Sequence, residues 1–162
     1  MLRRVLQQLC AVVASSAFAV GAADFVSLDI NCGKQGKTEP QPDGINVEGS
    51  GRDIWDAADG FRFVYQQMSG DFEIKTRIKT ISAPDGWSKA GVMIRQSTDP
   101  SSIHAFMCAT PANGFSFQRR TVHGGMSEHT GAGGTTFPDD WVKIVRVGQT
   151  VTAYKATDAA GL

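Results

Sequence analysis

Beyond residue 24 the chain consists of short runs rich in β-branched and aromatic residues, separated by Gly, Pro, Asn and Asp. The clearest run is 72–81, FEIKTRIKTI, in which apolar and charged residues alternate over most of the length. A period of two is typical of a strand with one buried side. No run in this region has the apolar spacing of an amphipathic helix, so the pattern predicts an all-β chain.

Eight further runs carry β-type composition: 25–30, 45–47, 61–66, 89–96, 103–110, 114–121, 141–147 and 150–155. Two pairs of runs flank the turn sequences PAN (111–113) and GQ (148–149), which predicts two hairpins. Strands at this spacing, without helices between them, predict an antiparallel β-sandwich. The Gly-rich segment 123–136 and the polar stretch around Pro40 and Pro42 are predicted to be surface loops.

Length and charge restrict the class of protein. The 162 residues suit one domain, and 41% hydrophobic residues suffice for a core. Basic and acidic residues number 16 each, so the formal net charge is zero. Without a basic field to hold a phosphate backbone, nucleic acid is not an expected partner.

Residues 1–23 have the layout of a secretory signal peptide. Arg3 and Arg4 precede an apolar stretch, and small residues follow at 17–22. The apolar run is short for a membrane anchor, which needs roughly 20 residues. We therefore expect a secreted, periplasmic or extracellular domain at 24–162 that has no membrane association after cleavage.

Removal of the signal peptide takes away Cys10 and leaves Cys32 and Cys108. In an exported protein an even pair of cysteines is compatible with a disulfide. Two free buried thiols explain the same sequence, and both interpretations stay open here.

No cofactor is required by any motif in the chain. Three aspartates, Asp53, Asp56 and Asp59, cluster around Trp55. Their carboxylates could bind a calcium ion, but they lack the spacing of an EF-hand loop. Asp is favoured in turns, so we expect these three residues to cap turns.

Asp71 and Glu73 are the candidate catalytic pair. Their side chains fall on one face of the strand predicted at 72–81, which Asp71 directly precedes. Residues two positions apart on a strand, as these are, lie about 6.6 Å apart. A retaining glycosidase needs two carboxyl groups about 5 Å apart, so an enzyme is not excluded. The same face continues as Lys75 and Arg77, which favours a solvated mixed-charge surface and a non-catalytic protein.

The segment 85–97, DGWSKAGVMIRQS, carries the candidate ligand-binding residues. Its apolar side, Ala90, Val92 and Ile94, is predicted to face the core, and the side with Met93 is predicted to face outward. Planar polar side chains and tryptophans are what sugar binding needs, for hydroxyls and for stacking on the ring. The candidate ligand-binding set is Trp87, Lys89, Arg95, Gln118, Arg120 and Trp55. The competing interpretation is that Trp87 plugs the core at a strand end while the cations pair with Asp71 or Glu73.

Four segments together carry a family resemblance: DIWDAADGFRFVYQQMSGDFEIKTRI, WSKAGVMIRQS, HAFMCATPANGFSFQRR and WVKIVRVGQTVTAYKATD. From about Asp29 to the last residue the chain resembles a bacterial family of the concanavalin A-like lectin/glucanase superfamily. That family consists of domains of unknown function related to the yeast "regulation of enolase" protein. The resemblance implies a jelly-roll sandwich and a module of a secreted protein that handles carbohydrate.

The chain departs from this family in two places. The alternating glutamate–aspartate–glutamate strand of the glucanases is not present in GDFEIKTRI, which lowers the expectation of catalysis. Family members continue past YKATD with further strands, so the sandwich is expected to be incomplete at the C-terminus.

These observations predict a secreted, non-catalytic β-sandwich module that binds a glycan or polysaccharide. The alternatives are a glycoside hydrolase-like enzyme and a purely structural or adhesive domain. In each case other domains of a larger extracellular protein are conceivable partners.

Overall fold

The computed structural model describes residues 25–82 and 85–162, together with the backbone of a two-residue strand at Val13–Ala14. In this part of the chain every regular element is a strand except the 3₁₀ turn Ala159–Gly161. All strand pairs are antiparallel, so the predicted all-β antiparallel class is confirmed. The predicted signal peptide otherwise lies outside the described residues.

The strands within the described residues are β1 Val13–Ala14, β2 Val26–Ile30, β3 Lys37–Gln41, β4 Gly44–Glu48, β5 Phe61–Tyr65, β6 Phe72–Ile78, β7 Ala90–Arg95, β8 His104–Thr110, β9 Gly114–Arg120, β10 Glu128–Gly131, β11 Asp140–Val147 and β12 Thr150–Ala156.

Two four-stranded sheets face each other, with strand orders β1-β6-β11-β12 and β10-β9-β8-β7. Between them lies an apolar core, to which β6 contributes Ile74, β7 Val92, β9 Phe115 and β11 Ile144. Along β6 and β11 the core residues alternate with exposed or half-buried ones, as a sheet with one side against a core requires. Along β7 and β9 the neighbours of Val92 and Phe115 are buried as well. The arrangement is compatible with a β-sandwich. The predicted core side of β6 and the two predicted hairpins, β8–β9 and β11–β12, are confirmed.

A third group of elements covers the other face of the β7–β10 sheet. The β2–β5 pair and the loop between β4 and β5 contribute Ile30, Ile54 and Phe61 to a second apolar cluster, which also contains Met93 of β7. Met93 is 3% exposed. The prediction that the Met93 side of β7 faces outward into solvent was therefore wrong, because these elements pack on it.

Two strands fall where the sequence predicts loops. β3 contains Pro40, which cannot donate a ladder hydrogen bond and is tolerated because β3 belongs to a separate two-stranded sheet with β4. β10 lies in the Gly-rich segment, and all four of its residues are exposed. Neither strand has the alternating burial that a periodic pattern would reveal.

Among the described residues, the structure contains no helix long and apolar enough to cross a membrane.

Candidate functional site

The outer face of the β7–β10 sheet presents its side chains in cross-strand rows. In one row Phe106 of β8 lies between Met93 of β7 and Gln118 of β9, and Gln118 is opposite His129 of β10. In the next row His104 lies between Arg95 and Arg120. The apolar cluster covers the Met93 end of the first row, whereas its Gln118 end opens into a cavity.

This cavity has a volume of about 260 Å³. We call it the Trp55–Trp87 pocket, and it is lined by Asp53, Trp55, Trp87, Lys89, Gln118 and His129. The structure thus brings together four of the six residues predicted to bind ligand: Trp55, Trp87, Lys89 and Gln118.

Lys89 and Gln118 form the floor of the pocket, with 3% and 1% of their surfaces exposed. The Lys89 ammonium contacts the Asp53 carboxylate and lies 5.8 Å from the centre of the Trp87 ring. The side-chain oxygen of Gln118 is buried and has no hydrogen-bond partner among the described residues. Such an acceptor costs about 1–3 kcal/mol of folding free energy, which a ligand that donates a hydrogen bond would recover.

Aromatic rings form the rim. The His129 ring centre lies 5.8 Å from that of Trp55 and 5.9 Å from that of Trp87, with edge-to-face geometry in both pairs. The His129 Nδ1 atom is 3.4 Å from the Ser116 hydroxyl, which holds the imidazole against β9. Trp87 remains 42% exposed, so the interpretation that it plugs the core does not describe its position.

Two tight turns fix the position of Trp87. The Asp85 carboxylate accepts a hydrogen bond from the Trp87 amide at 2.7 Å. The Gly86 carbonyl accepts from the Asn113 side chain at 2.9 Å and from the Ala112 amide at 3.2 Å. A Cβ atom on Gly86 would lie 2.8 Å from the Ala112 Cβ, so the turn before β7 packs closely on the turn between β8 and β9.

Trp55 is held by the loop between β4 and β5. The two ends of this loop meet at Gly51 and Gly60, where a Cβ atom on Gly51 would lie 1.6 Å from the Gly60 carbonyl oxygen. The Gly60 amide also donates to the Asp53 carbonyl at 2.6 Å. Arg120 then ties the loop to the sheet by donating to the Trp55 carbonyl at 3.2 Å.

Arg95 and Arg120 were predicted to bind ligand, but neither lines the Trp55–Trp87 pocket. Arg120 is 0% exposed and donates to both oxygens of the Asp59 carboxylate, at 2.7 and 2.9 Å. Arg95 donates to the same carboxylate at 3.1 Å and lies beside a different groove, near the end of β7. Both guanidinium groups are buried because they pair with the Asp59 carboxylate, and Asp59 belongs to the β4–β5 loop that packs on this face of the sheet.

His104 completes this buried cluster, with its Nδ1 atom 3.4 Å from the Asp59 carboxylate. Burial lowers the pKa of His104 to about 4, and the positive charges of Arg120 and Arg95 act in the same direction against the attraction of Asp59. His104 is therefore neutral at neutral pH. The cluster then contains two positive charges and one negative charge, all removed from solvent.

Asp53 and Asp59 thus do more than cap turns. Asp53 lines the pocket and pairs with Lys89, and Asp59 holds two arginines. Sequence reasoning missed Asp59 and His129 because each acts through a partner that is distant in sequence. In the described part of the chain, no group of three or more His, Cys, Asp or Glu residues is arranged to hold a metal ion.

The candidate catalytic pair lies elsewhere. Glu73 belongs to β6 in the opposite sheet, and its carboxylate is 3.9 Å from the Lys143 ammonium. Asp71 is exposed and accepts a hydrogen bond from the Gly148 amide at 2.7 Å. Neither carboxylate lines the Trp55–Trp87 pocket.

Cys32 and Cys108 are free thiols in the structure, not a disulfide. The Cys108 thiol is fully buried beside β9 and donates to the Ser116 carbonyl at 3.3 Å. Burial raises its pKa to about 12. Cys32 is half-buried, and burial raises the pKa of its thiol, which donates to the Ile30 carbonyl at 3.4 Å.

Comparisons with protein-family models, with curated proteins and with solved structures found no match to this chain.

Proposed function

We propose that the chain is a secreted, non-catalytic module of the concanavalin A-like jelly-roll type that binds carbohydrate in the Trp55–Trp87 pocket. The observation that carries the proposal is the combination, in one cavity, of exposed tryptophan surface with a buried amide oxygen that lacks a partner. A sugar ring has apolar C–H faces and hydroxyl groups at its edges. It matches both features at once.

The tryptophans supply the apolar contact. An aromatic side chain buries 150–250 Å² when it is fully covered, so a half-exposed ring retains a substantial area for stacking. Trp87 has 42% of its surface exposed, and Trp55 is half-buried on the other side of His129. A ligand that covers these rings removes apolar surface from water, at roughly 25 cal/mol per Å².

The floor supplies the polar contacts. The Gln118 oxygen accepts a hydrogen bond, and the Lys89 ammonium donates. Lys89 and Asp53 neutralise each other, so these two side chains add no net charge to the pocket. An uncharged polyol suits this floor better than an anion or a cation, because it supplies donors and acceptors without requiring a counter-charge.

The proposals of secretion and of a jelly-roll fold are supported by the N-terminal sequence and by the arrangement of the two sheets. Residues 1–23 have the layout of a signal peptide, which favours export. Two facing antiparallel sheets are compatible with the jelly roll that the family resemblance implies. The hydrolase alternative gains no support from Asp71 and Glu73, because Glu73 belongs to the other sheet and Asp71 lies in the bend just before that strand.

A glycan array with the folded protein, followed by calorimetry on the best ligands, tests the proposal. We expect binding to at least one class of glycan and more than tenfold weaker binding by Trp87→Ala. Tyr154→Ala is the matched control, because Tyr154 is 44% exposed and belongs to β12 of the other sheet. Absence of binding to every glycan, or equal losses in the two variants, would contradict the proposal and leave the structural or adhesive alternative. Release of sugar by the wild-type protein would instead support a hydrolase.

A further inference from the structure

We infer that the Trp55–Trp87 pocket receives a single sugar ring at the end of a glycan chain, not an internal stretch of a polysaccharide. This inference rests on the carbohydrate-binding function proposed above. Size is the first argument. The cavity holds about 260 Å³, below the range of roughly 300–1,000 Å³ that is typical of sites for drug-sized ligands. Several linked rings therefore do not fit side by side.

The origin of the walls is the second argument. The walls come from separate segments: Trp55 from the β4–β5 loop, Trp87 from the turn before β7, and His129 from β10. Lys89 and Gln118 close the bottom, where both are almost fully buried. A polysaccharide that binds along its length needs a groove open at both ends, whereas this half-open cavity has walls from three segments and a floor on the sheet.

The walls are also held in place. His129 contacts both tryptophan rings and so links the two sides of the rim. The Trp87 turn is fastened by Asn113, and the Trp55 carbonyl by Arg120. Moving these walls apart would break these contacts, so the resting structure keeps the rim in this arrangement.

The chemistry of the floor points in the same direction. The buried Gln118 oxygen needs one hydroxyl donor that reaches the bottom of the cavity. A terminal ring has a free hydroxyl at a position that an internal ring has used for its glycosidic bond. A ring inserted end-first therefore brings this hydroxyl to the floor, and the rest of the chain leaves through the mouth beside the exposed Trp87.

The experiment measures affinity against chain length by calorimetry, using linear malto-, cello-, xylo- and manno-oligosaccharides of two to six residues. For any series that binds, we expect the Kd per chain to stay within about twofold from dimer to hexamer. An affinity that rises fivefold or more with length would overturn the inference and leave the proposed function intact. Failure of all these series and of the glycan array would remove both.

Two further measurements separate chain-end binding from a general effect. Limited endo-cleavage of a bound polysaccharide increases the number of ends at constant mass, so the number of binding sites per gram should rise in proportion. An unchanged number contradicts the inference. Gln118→Leu should weaken binding more than tenfold at every chain length, while Gln149→Leu, at an exposed turn residue, should not. A loss confined to the longer chains would also count against end-first insertion.

Discussion

Arg120 donates to both oxygens of the Asp59 carboxylate, at 2.7 and 2.9 Å, and both side chains are inaccessible to solvent. The same guanidinium donates to backbone carbonyls of Pro100, Ser102 and Trp55. One buried ion pair thus joins three parts of the chain: the sheet, the β7–β8 connection and the loop that carries a wall of the pocket.

Replacement of Asp59 by Asn should destabilise the fold strongly. Two arginines would remain in the interior without a counter-charge, and breaking a buried pair costs about 3–5 kcal/mol. Urea denaturation followed by tryptophan fluorescence measures the loss. Asp56→Asn is the control, because Asp56 is exposed in the same loop and its φ of 49° suits Asn. Similar unfolding free energies for the two variants would show that the cluster contributes little.

Stability should depend on the protonation of His104. Its pKa is about 4 in the fold and 6.5 in the unfolded chain, so the unfolded chain binds the proton more tightly. The stabilisation is present above pH 6.5 and is lost as the pH falls towards 4, by up to about 3 kcal/mol. Urea titrations between pH 4 and 7.5 should show this slope in the wild type and a shallower one in His104→Asn. His123→Asn, at an exposed histidine, should keep the wild-type slope; an equally steep slope in His104→Asn would contradict the prediction.

Substitutions at the two ends of the Lys89–Asp53 pair should have unequal effects. Lys89 is buried and Asp53 is partly exposed, with side-chain exposures of 3% and 39%. Asp53→Asn leaves the buried ammonium without its counter-charge and should cost about 1.5–3 kcal/mol. Lys89→Met leaves a carboxylate that water can reach and should cost less. Chemical denaturation of the two variants measures their unfolding free energies. A larger loss in Lys89→Met than in Asp53→Asn would refute the argument from burial.

Gln118→Leu should raise stability while it lowers affinity. Removal of a buried acceptor without a partner is expected to stabilise the fold by about 1 kcal/mol. The same change removes the side-chain oxygen that we propose accepts a hydrogen bond from a ligand hydroxyl. A lower unfolding free energy in the variant would indicate that the oxygen is already satisfied in the free protein.

The two described cysteines should differ in reactivity. Cys108 is fully buried with a pKa of about 12, whereas Cys32 is partly accessible. Alkylation of the native protein, read by peptide mass spectrometry, should label Cys32 first and Cys108 only on unfolding. Equal labelling rates, or a peptide that contains Cys32 linked to Cys108, would contradict the free-thiol arrangement.

Much of the strand pattern was predictable because side-chain alternation is a local property. The run 72–81 predicted the buried side of β6, and the turn sequences PAN and GQ predicted both hairpins. Strands β3 and β10 were missed, since β3 contains a proline and β10 has no buried side. Of the predicted binding residues, Trp55, Trp87, Lys89 and Gln118 line one pocket, although they come from a loop, from the segment before β7 and from β9.

The sequence by itself determined which residues point to the same side of each strand, because the period of two follows from backbone geometry alone. Only the tertiary structure decided what lies over that side. The loop around Asp59 and the β2–β5 pair cover Met93, Arg95 and Arg120, and they leave Lys89 and Gln118 beneath an opening. That division depends on contacts between residues that are distant in sequence, such as Asp59 with Arg120, which are 61 positions apart, and no local pattern encodes them.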